Sequence, residues 1–313
     1  MDKLSRIVRS VGAFNRELTR PRQIEKKDVR PRPRPKIGLA LGGGFARGVA
    51  HIGVLKVFEE EQIPIDYIAG TSSGALIAAM YSSGICAREL AEIAGLLRFN
   101  DFARLTISRL GLWTTDPMVG LLTRILKVHT FEELRIPLAV AATEFNTGDS
   151  VVFTSGPLID SLRASCAYPG AFLPVNVNGR LMVDGLLAHP VPTVPLKQMG
   201  AEKVVAVYFK SHWVGDSGPR HFMDVIGQCF SIAQSRMCSQ WQLNADAILE
   251  PQVGAFAYDA FHMASELVKV GEAAARAALP QIQGFLQGTV ADPKPRKSAA
   301  KPQLTPASVP ITG

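Results

Sequence analysis

Short apolar runs that end in glycine alternate along the chain with stretches whose apolar residues recur every three or four positions. Residues 36–41 form a run of the first kind and read as a buried strand. In 49–61, Ile52, Val54, Leu55 and Phe58 have helical spacing. A second strand is predicted over 65–69, followed by a helix that opens at 75–81. Runs at 138–142 and 203–208 give two more core strands, and Val151, Val152 and Phe153 after the turn Asn146-Thr147-Gly148 suggest a local hairpin. Long helices are predicted over 222–243 and 261–279. Strands that alternate with helices in this way predict an α/β fold, with a mostly parallel central sheet flanked by helices. Ligand chemistry in such sheets gathers at the carboxyl ends of the strands, where the glycine clusters of this chain fall.

The ends of the chain differ from its body. Leu4, Ile7, Val8, Val11, Phe14 and Leu18 lie on one helical stripe with Lys3, Arg6, Arg9, Arg16 and Arg20 around it. Residues 1–20 therefore read as a basic amphipathic helix, suited to peripheral contact with a membrane, to docking on its own domain or to contact with another subunit. Residues 21–35, with alternating Arg and Pro, read as a stiff linker. A core is expected over 36–200, its continuation over 201–291, and a disordered tail over 292–313.

Charge follows the same division. The net charge of +7 comes from the ends, because residues 1–36 hold twelve Lys/Arg against four Asp/Glu and 292–313 hold four against one. The body is mildly acidic, which argues against a nucleic-acid-binding face. Cys86, Cys166, Cys229 and Cys238 lack zinc-ligand spacing, so reduced, mostly buried thiols, no metal and no cofactor are expected. With no stretch of about 18 apolar residues and no secretory leader pattern, a cytoplasmic protein is expected.

Three clusters carry candidate chemistry. Gly42-Gly43-Gly44-Phe45-Ala46-Arg47-Gly48 lies between a predicted strand and helix, where small residues allow close backbone approach and N–H groups attract negative charge. It suits either a phosphate or an oxyanion. Arg47 occupies a position where the dinucleotide fingerprint requires glycine, and no P-loop Lys-Ser/Thr follows. Gly70-Thr71-Ser72-Ser73-Gly74 has the strand–turn–helix context of a nucleophile elbow with Ser72 at its apex, although an ordinary Gly/Ser turn has the same composition. Asp184-Gly185 follows a short strand-like run and by itself reads as a tight turn. A histidine triad would draw on residues such as His189 or His221.

Taken together, these motifs resemble the patatin-like phospholipase family, in particular its bacterial members related to the esterase domain of neuropathy target esterase. The likeness runs through 37–55, the elbow, Arg163-Ala-Ser-Cys-Ala-Tyr-Pro-Gly170 and Val183-Asp-Gly185. It implies a three-layer fold and a lipid or ester substrate, cleaved by a Ser72–Asp184 dyad without a catalytic histidine. Backbone N–H groups around Gly43, Gly44 and Phe45 would form the oxyanion hole, with Arg47, Gly48, Gly70, Gly74 and Gly185 as supporting motif residues. The chain departs from the family in having Phe45 where a third small residue is usual and Leu186 after Asp184-Gly185. An apolar groove for acyl chains is expected near Phe45, Leu76 and Phe172. The alternatives are a non-catalytic regulator of the same family, a nucleotide-binding α/β protein and a histidine-triad hydrolase. Oligomeric state is left open.

Overall fold

Five consecutive apolar residues form β1 (Ile37–Leu41), all of them buried. In the computed structural model, which describes residues 34–106, 108–210, 218–219, 222–237 and 239–287, this strand lies inside an eight-stranded sheet. The other strands are β2 (Tyr67–Thr71), β5 (Leu138–Glu144), β6 (Ser150–Phe153), β7 (Val175–Val177), β8 (Arg180–Asp184), β9 (Lys203–Val207) and β10 (Ala247–Leu249). A two-stranded ribbon of β3 (Arg104–Leu105) and β4 (Trp113–Thr114) stands apart. The sheet order is β10-β9-β1-β2-β5-β8-β7, with β6 also paired to β5. The strands from β10 to β5 run parallel, whereas β6, β8 and β7 are antiparallel to their neighbours.

Side-chain size divides the two faces of the sheet. Ile37, Leu39, Leu41, Ile68, Leu138, Val140, Val205 and Val207 face one layer, which contains α1 (Ala50–Glu60), α2 (Ser73–Ser82), α3 (Ala87–Leu96), α4 (Asp116–Ile125) and α5 (Leu158–Ser165). Alternate positions Ala40, Ala69, Ala139, Val204 and Ala206 are smaller and face the other layer, where α6 (Thr193–Gln198) brings Leu196. Trp241 of α8 (Ser239–Leu243) packs there too, after α7 (Phe222–Met237), while α9 (Ala264–Gln287) returns to the first layer. This period-two alternation places helices on both faces and makes the fold three-layered.

The differences from the sequence expectations have local causes. β2 begins and ends two residues later than predicted, so the strand runs directly into Ser72. The expected helix over 222–243 is α7 followed by α8, and the one over 261–279 is a 3₁₀ turn followed by α9, which continues through Pro280 to Gln287. The β7–β8 hairpin turns on Asn178-Gly179, both at positive φ, with Val177 opposite Arg180. Asn-Gly is a strong hairpin signal that the reading of apolar runs passed over. Residues 1–20, the linker up to 33, the tail over 292–313, His212 and His221 lie outside the described residues.

Candidate active site

Two strands meet end to end at the site. β2 pairs with β5 as far as Thr71 opposite Ala141, and β8 approaches from the opposite direction along the same edge of β5, with Asp184 opposite Ala142. β6 occupies the other edge at these positions. Consecutive residues of β5 thus bring together the carboxyl ends of β2 and β8, and with them Ser72 and Asp184. Gly185 fits here because a Cβ would collide with the Ala141 carbonyl.

The elbow at Ser72 is strained. Its φ of 54° and ψ of −124° are sparsely populated for a residue with a side chain. Two contacts hold it. The Ser72 N–H donates to Ser165 Oγ at 2.8 Å, and Ser165 Oγ donates to the Ala141 carbonyl at 2.7 Å. Gly70 and Gly74 lie where β2 and α2 crowd the turn, and a Cβ on Gly74 would strike the carbonyls at the end of β1. Ser72 heads α2, a helix of ten residues, so the helix N-terminus directs its partial positive charge at the elbow.

Asp184 is fully buried. Its Oδ1 accepts the Leu186 N–H at 2.9 Å, its backbone N–H donates to the Ala167 carbonyl at 2.9 Å, and its carbonyl accepts from Thr143 Oγ1 at 3.0 Å. Oδ2 has no hydrogen-bond partner. Burial pushes the carboxyl pKa up to about 7, against the opposing pull of the nearby Ser72 hydroxyl and the Leu186 N–H. The hydroxyl thus lies close enough to favour the carboxylate without forming a complete hydrogen bond to Oδ2. Cys166, also buried next to this hydroxyl, has its thiol pKa raised, chiefly by burial.

The glycine loop passes beside the elbow. Gly43 is close to the Ser72 side chain, and its N–H donates to the Pro190 carbonyl at 3.3 Å. The Gly44 N–H makes no hydrogen bond among the described residues. Phe45 accepts a φ of 51°, and its ring packs edge-on against Tyr168 at 4.9 Å and Tyr258 at 5.9 Å. Such ring pairs contribute about 0.5–1.5 kcal/mol each, comparable with the roughly 1–3 kcal/mol that a left-handed non-glycine backbone costs. Arg47 is buried and donates from Nε to the Phe256 carbonyl at 2.9 Å, and Gly48 packs against Ser73. His51 is fully buried and donates from Nε2 to the Gly42 carbonyl at 2.7 Å, with burial driving its pKa down to about 4. His189 is anchored through its backbone, where its carbonyl accepts from Thr71 Oγ1 at 2.7 Å; its ring makes no hydrogen bond to Ser72.

Ser72 and Phe45 separate two cavities. One, of about 100 Å³, is almost wholly apolar and takes in Leu76, Met80, Leu122 and Phe172. The other, of about 50 Å³, is more polar and takes in Arg47, Tyr208, Gln234 and Tyr258. The groove expected near Phe45, Leu76 and Phe172 corresponds to the first. Sequence reasoning gave no role to Ser165, Thr143 or His51. Ser165 lay within a motif already singled out, but nothing in the one-dimensional pattern indicates that its hydroxyl holds the elbow.

Comparison with known proteins gives the family of the chain. The Patatin-like phospholipase family model matches residues 39–197. An NTE family protein of Mycobacterium tuberculosis is 37% identical over 182 residues, which are 57% of this chain and 50% of that protein. Lysophospholipase NTE1 of Mycosarcoma maydis is 34% identical over 201 residues, 61% of this chain and 10% of that one. The match thus spans about half the length of the mycobacterial relative and a much smaller part of the fungal one. Among solved structures, VipD from Legionella pneumophila superposes on 80% of this chain and 67% of its own, with a TM-score of 0.49 and 13% identity. With half of its residues matched by the family model, the chain belongs to the patatin-like phospholipase family.

Proposed function

We propose that this chain is a serine lipid acyl hydrolase that cleaves carboxylic esters through Ser72 and Asp184. The observation that carries this reading is the end-to-end meeting of β2 and β8, which sets a strained serine beside a buried carboxylate whose Oδ2 is unpartnered. An ordinary solvated aspartate, with a pKa of about 3.9, is a weak base for a hydroxyl. A buried one near 7 is better matched to proton transfer at neutral pH.

In this mechanism Ser72 Oγ attacks the ester carbonyl while its proton passes to Asp184 Oδ2. The tetrahedral oxyanion is stabilised by loop N–H groups at Gly44 and Phe45. Gly43 joins them only when its long bond to Pro190 is given up. Each such donor is worth on the order of 10²–10³ in rate. Collapse of the intermediate expels the alcohol, which takes the proton from Asp184 and leaves an acyl-serine. Asp184 then removes a proton from water as the water attacks the acyl carbon, and collapse of the second tetrahedral intermediate expels Ser72 Oγ, which takes that proton back from Asp184 as the free acid leaves.

The apolar cavity beside Ser72 fits an acyl chain, and the more polar one fits the leaving alcohol with its head group. The name of the fungal relative makes lysophospholipids the first substrates to try. Fluorophosphonate labelling of wild type and Ser72→Ala tests the reading. Label is expected on Ser72 alone, together with ester turnover that the substitution abolishes. Turnover by Ser72→Ala comparable to wild type refutes it. No helix among the described residues is long and apolar enough to cross a membrane.

A further inference from the structure

Nine large apolar side chains are exposed among the described residues, and six of them come from two segments. Leu96, Leu105 and Leu110 belong to the end of α3 and the β3–β4 ribbon, while Phe222, Val225 and Ile232 belong to α7. Single exposed leucines are ordinary. These six are not scattered, because both segments pack on one cluster. Phe99, Ala103 and Trp113 reach it from the first segment, and Met223, Ile226 and Phe230 from α7. The same cluster contains Phe172, which walls the apolar cavity at Ser72, and Phe230 walls the polar one. The exposed apolar side chains therefore belong to segments that pack on the walls of the candidate site.

α7 makes the pattern specific. Phe222, Val225, Cys229 and Ile232 follow helical spacing on its outer side, while Met223 and Phe230 pack inward. A helix that is apolar on both sides needs cover on both. The charge that selects a cover comes from the other segment, which packs on the same cluster. Residues 96–106 and 108–112 contain Arg98, Arg104 and Arg109 against Asp101 alone, and the Asp101 carboxylate is engaged by the Arg98 N–H at 2.7 Å. The Arg104 side chain is 70% exposed and reaches Asp116 only at 3.7 Å, whereas Arg163 holds Asp116 at 2.8 Å. The one acid of α7, Asp224, is buried. Exposed leucines among guanidinium groups match an anionic lipid surface. A two-fold contact with a second copy would set these cations against one another.

We infer that the β3–β4 ribbon and the outer face of α7 form the surface by which the protein docks on an anionic lipid layer, bringing the cavities at Ser72 toward it. The inference takes its choice of lipid from the hydrolase reading, and its test is independent of turnover. In the full chain, Leu110→Trp and Val225→Trp are each measured against wild type, whose own Trp113, Trp213 and Trp241 are common to every variant, and compared with Ile248→Trp, whose side chain is exposed on β10 at one edge of the sheet. Vesicles of phosphatidylcholine, with or without phosphatidylglycerol, carry brominated chains that quench tryptophan. The quenching gained over wild type should be severalfold larger for Leu110→Trp and Val225→Trp than for Ile248→Trp, and smaller without phosphatidylglycerol or in high salt. Equal quenching at all three positions overturns the inference, even where the protein floats with the vesicles. So does a wild-type dimer that Leu105→Ser with Val225→Ser dissociates. Turnover of a soluble short-chain ester should be unchanged in these variants. If wild type lacks that turnover, the hydrolase reading fails while the quenching still decides the docking surface.

Discussion

The two halves of the sheet do different work at the same place. In the parallel half, β1 and β2 are apolar and buried, and each ends in a sharp turn into a helical segment. One turn is the glycine loop and the other holds Ser72. Both turns put backbone N–H groups at the start of a helical segment, where negative charge is favoured. In the antiparallel half, β6 and β7 are partly exposed and β8 is buried only over its last three residues. That half contributes a carboxylate in a place with no ion-pair partner among the described residues. Reversed strand direction lets β8 deliver Asp184 against the end of β2, which a further parallel strand in its place would not do. In the proposed mechanism the parallel half thus prepares a site for negative charge, and the antiparallel half supplies a base that is costly to ionise.

Asp184→Asn breaks this comparison with the largest effect. Activity should fall by about 10²–10⁴-fold, the usual contribution of a general base. Stability should move the other way. Burial raises the Asp184 pKa from 3.8 to about 7, so the unfolded chain releases its proton near pH 4 while the folded chain keeps it until about 7. Below pH 4 the group favours neither state. Between 4 and 7 the unfolded chain binds fewer protons, and wild-type stability declines; above 7 the penalty is constant, on the order of 4 kcal/mol. Denaturant titrations should therefore find Asp184→Asn more stable than wild type at pH 8, with the gap shrinking toward pH 5. Wild-type kcat/KM should rise about tenfold per pH unit below 7 and level off above it. An asparagine variant less stable than wild type at pH 8 would remove the isolated carboxylate from the account.

Ser165→Ala should have the next largest effect, because it acts where the two halves touch. Its hydroxyl joins the Ser72 N–H to the carbonyl of Ala141, whose neighbour Ala142 pairs with Asp184. Removing it leaves a buried N–H without its partner, at about 1–3 kcal/mol. It also frees a backbone conformation that the chain does not favour. A displacement of the nucleophile should lower kcat by about 10–100-fold with little change in KM. Full activity in this variant would show that the glycines alone hold the elbow.

The same contrast explains what could be read from the sequence. Parallel strands buried on both faces appear as apolar runs, and β1, β5 and β9 were found within a residue or so at each end, apart from the longer end of β5. The hairpin at β6 followed from its turn. The Ser72 elbow had a local signature because strand, turn and helix are contiguous in sequence. Asp184 had none: Asp-Gly is an ordinary turn dipeptide, and only resemblance singled it out. Its burial depends on β5, α5 and the loop at Ala167, which are remote in sequence or separated from it by a hairpin. Phe45 shows the same limit from another side. A phenylalanine disfavours positive φ, and the aromatic packing that holds it there involves Tyr258, more than two hundred residues later.

Thr143→Val is the smallest and sharpest test. Thr143 lies on β5 opposite Val183, and its hydroxyl donates to the Asp184 carbonyl, both groups being buried. Valine keeps the shape and removes this one hydrogen bond, so denaturant titration should find a loss of about 0.5–1.5 kcal/mol. Activity should stay within about twofold, because a positioning error large enough to matter has other restraints to overcome. The Ala167 carbonyl still accepts the Asp184 N–H, and Oδ1 still accepts the Leu186 N–H, which fixes the carboxylate plane independently of β5. On this argument Ser165 is where stability and activity are coupled, and Thr143 is where they separate. If Thr143→Val lost as much activity as Ser165→Ala, the base would depend on β5 as closely as the nucleophile does, and the division between the two halves of the sheet would have to be given up.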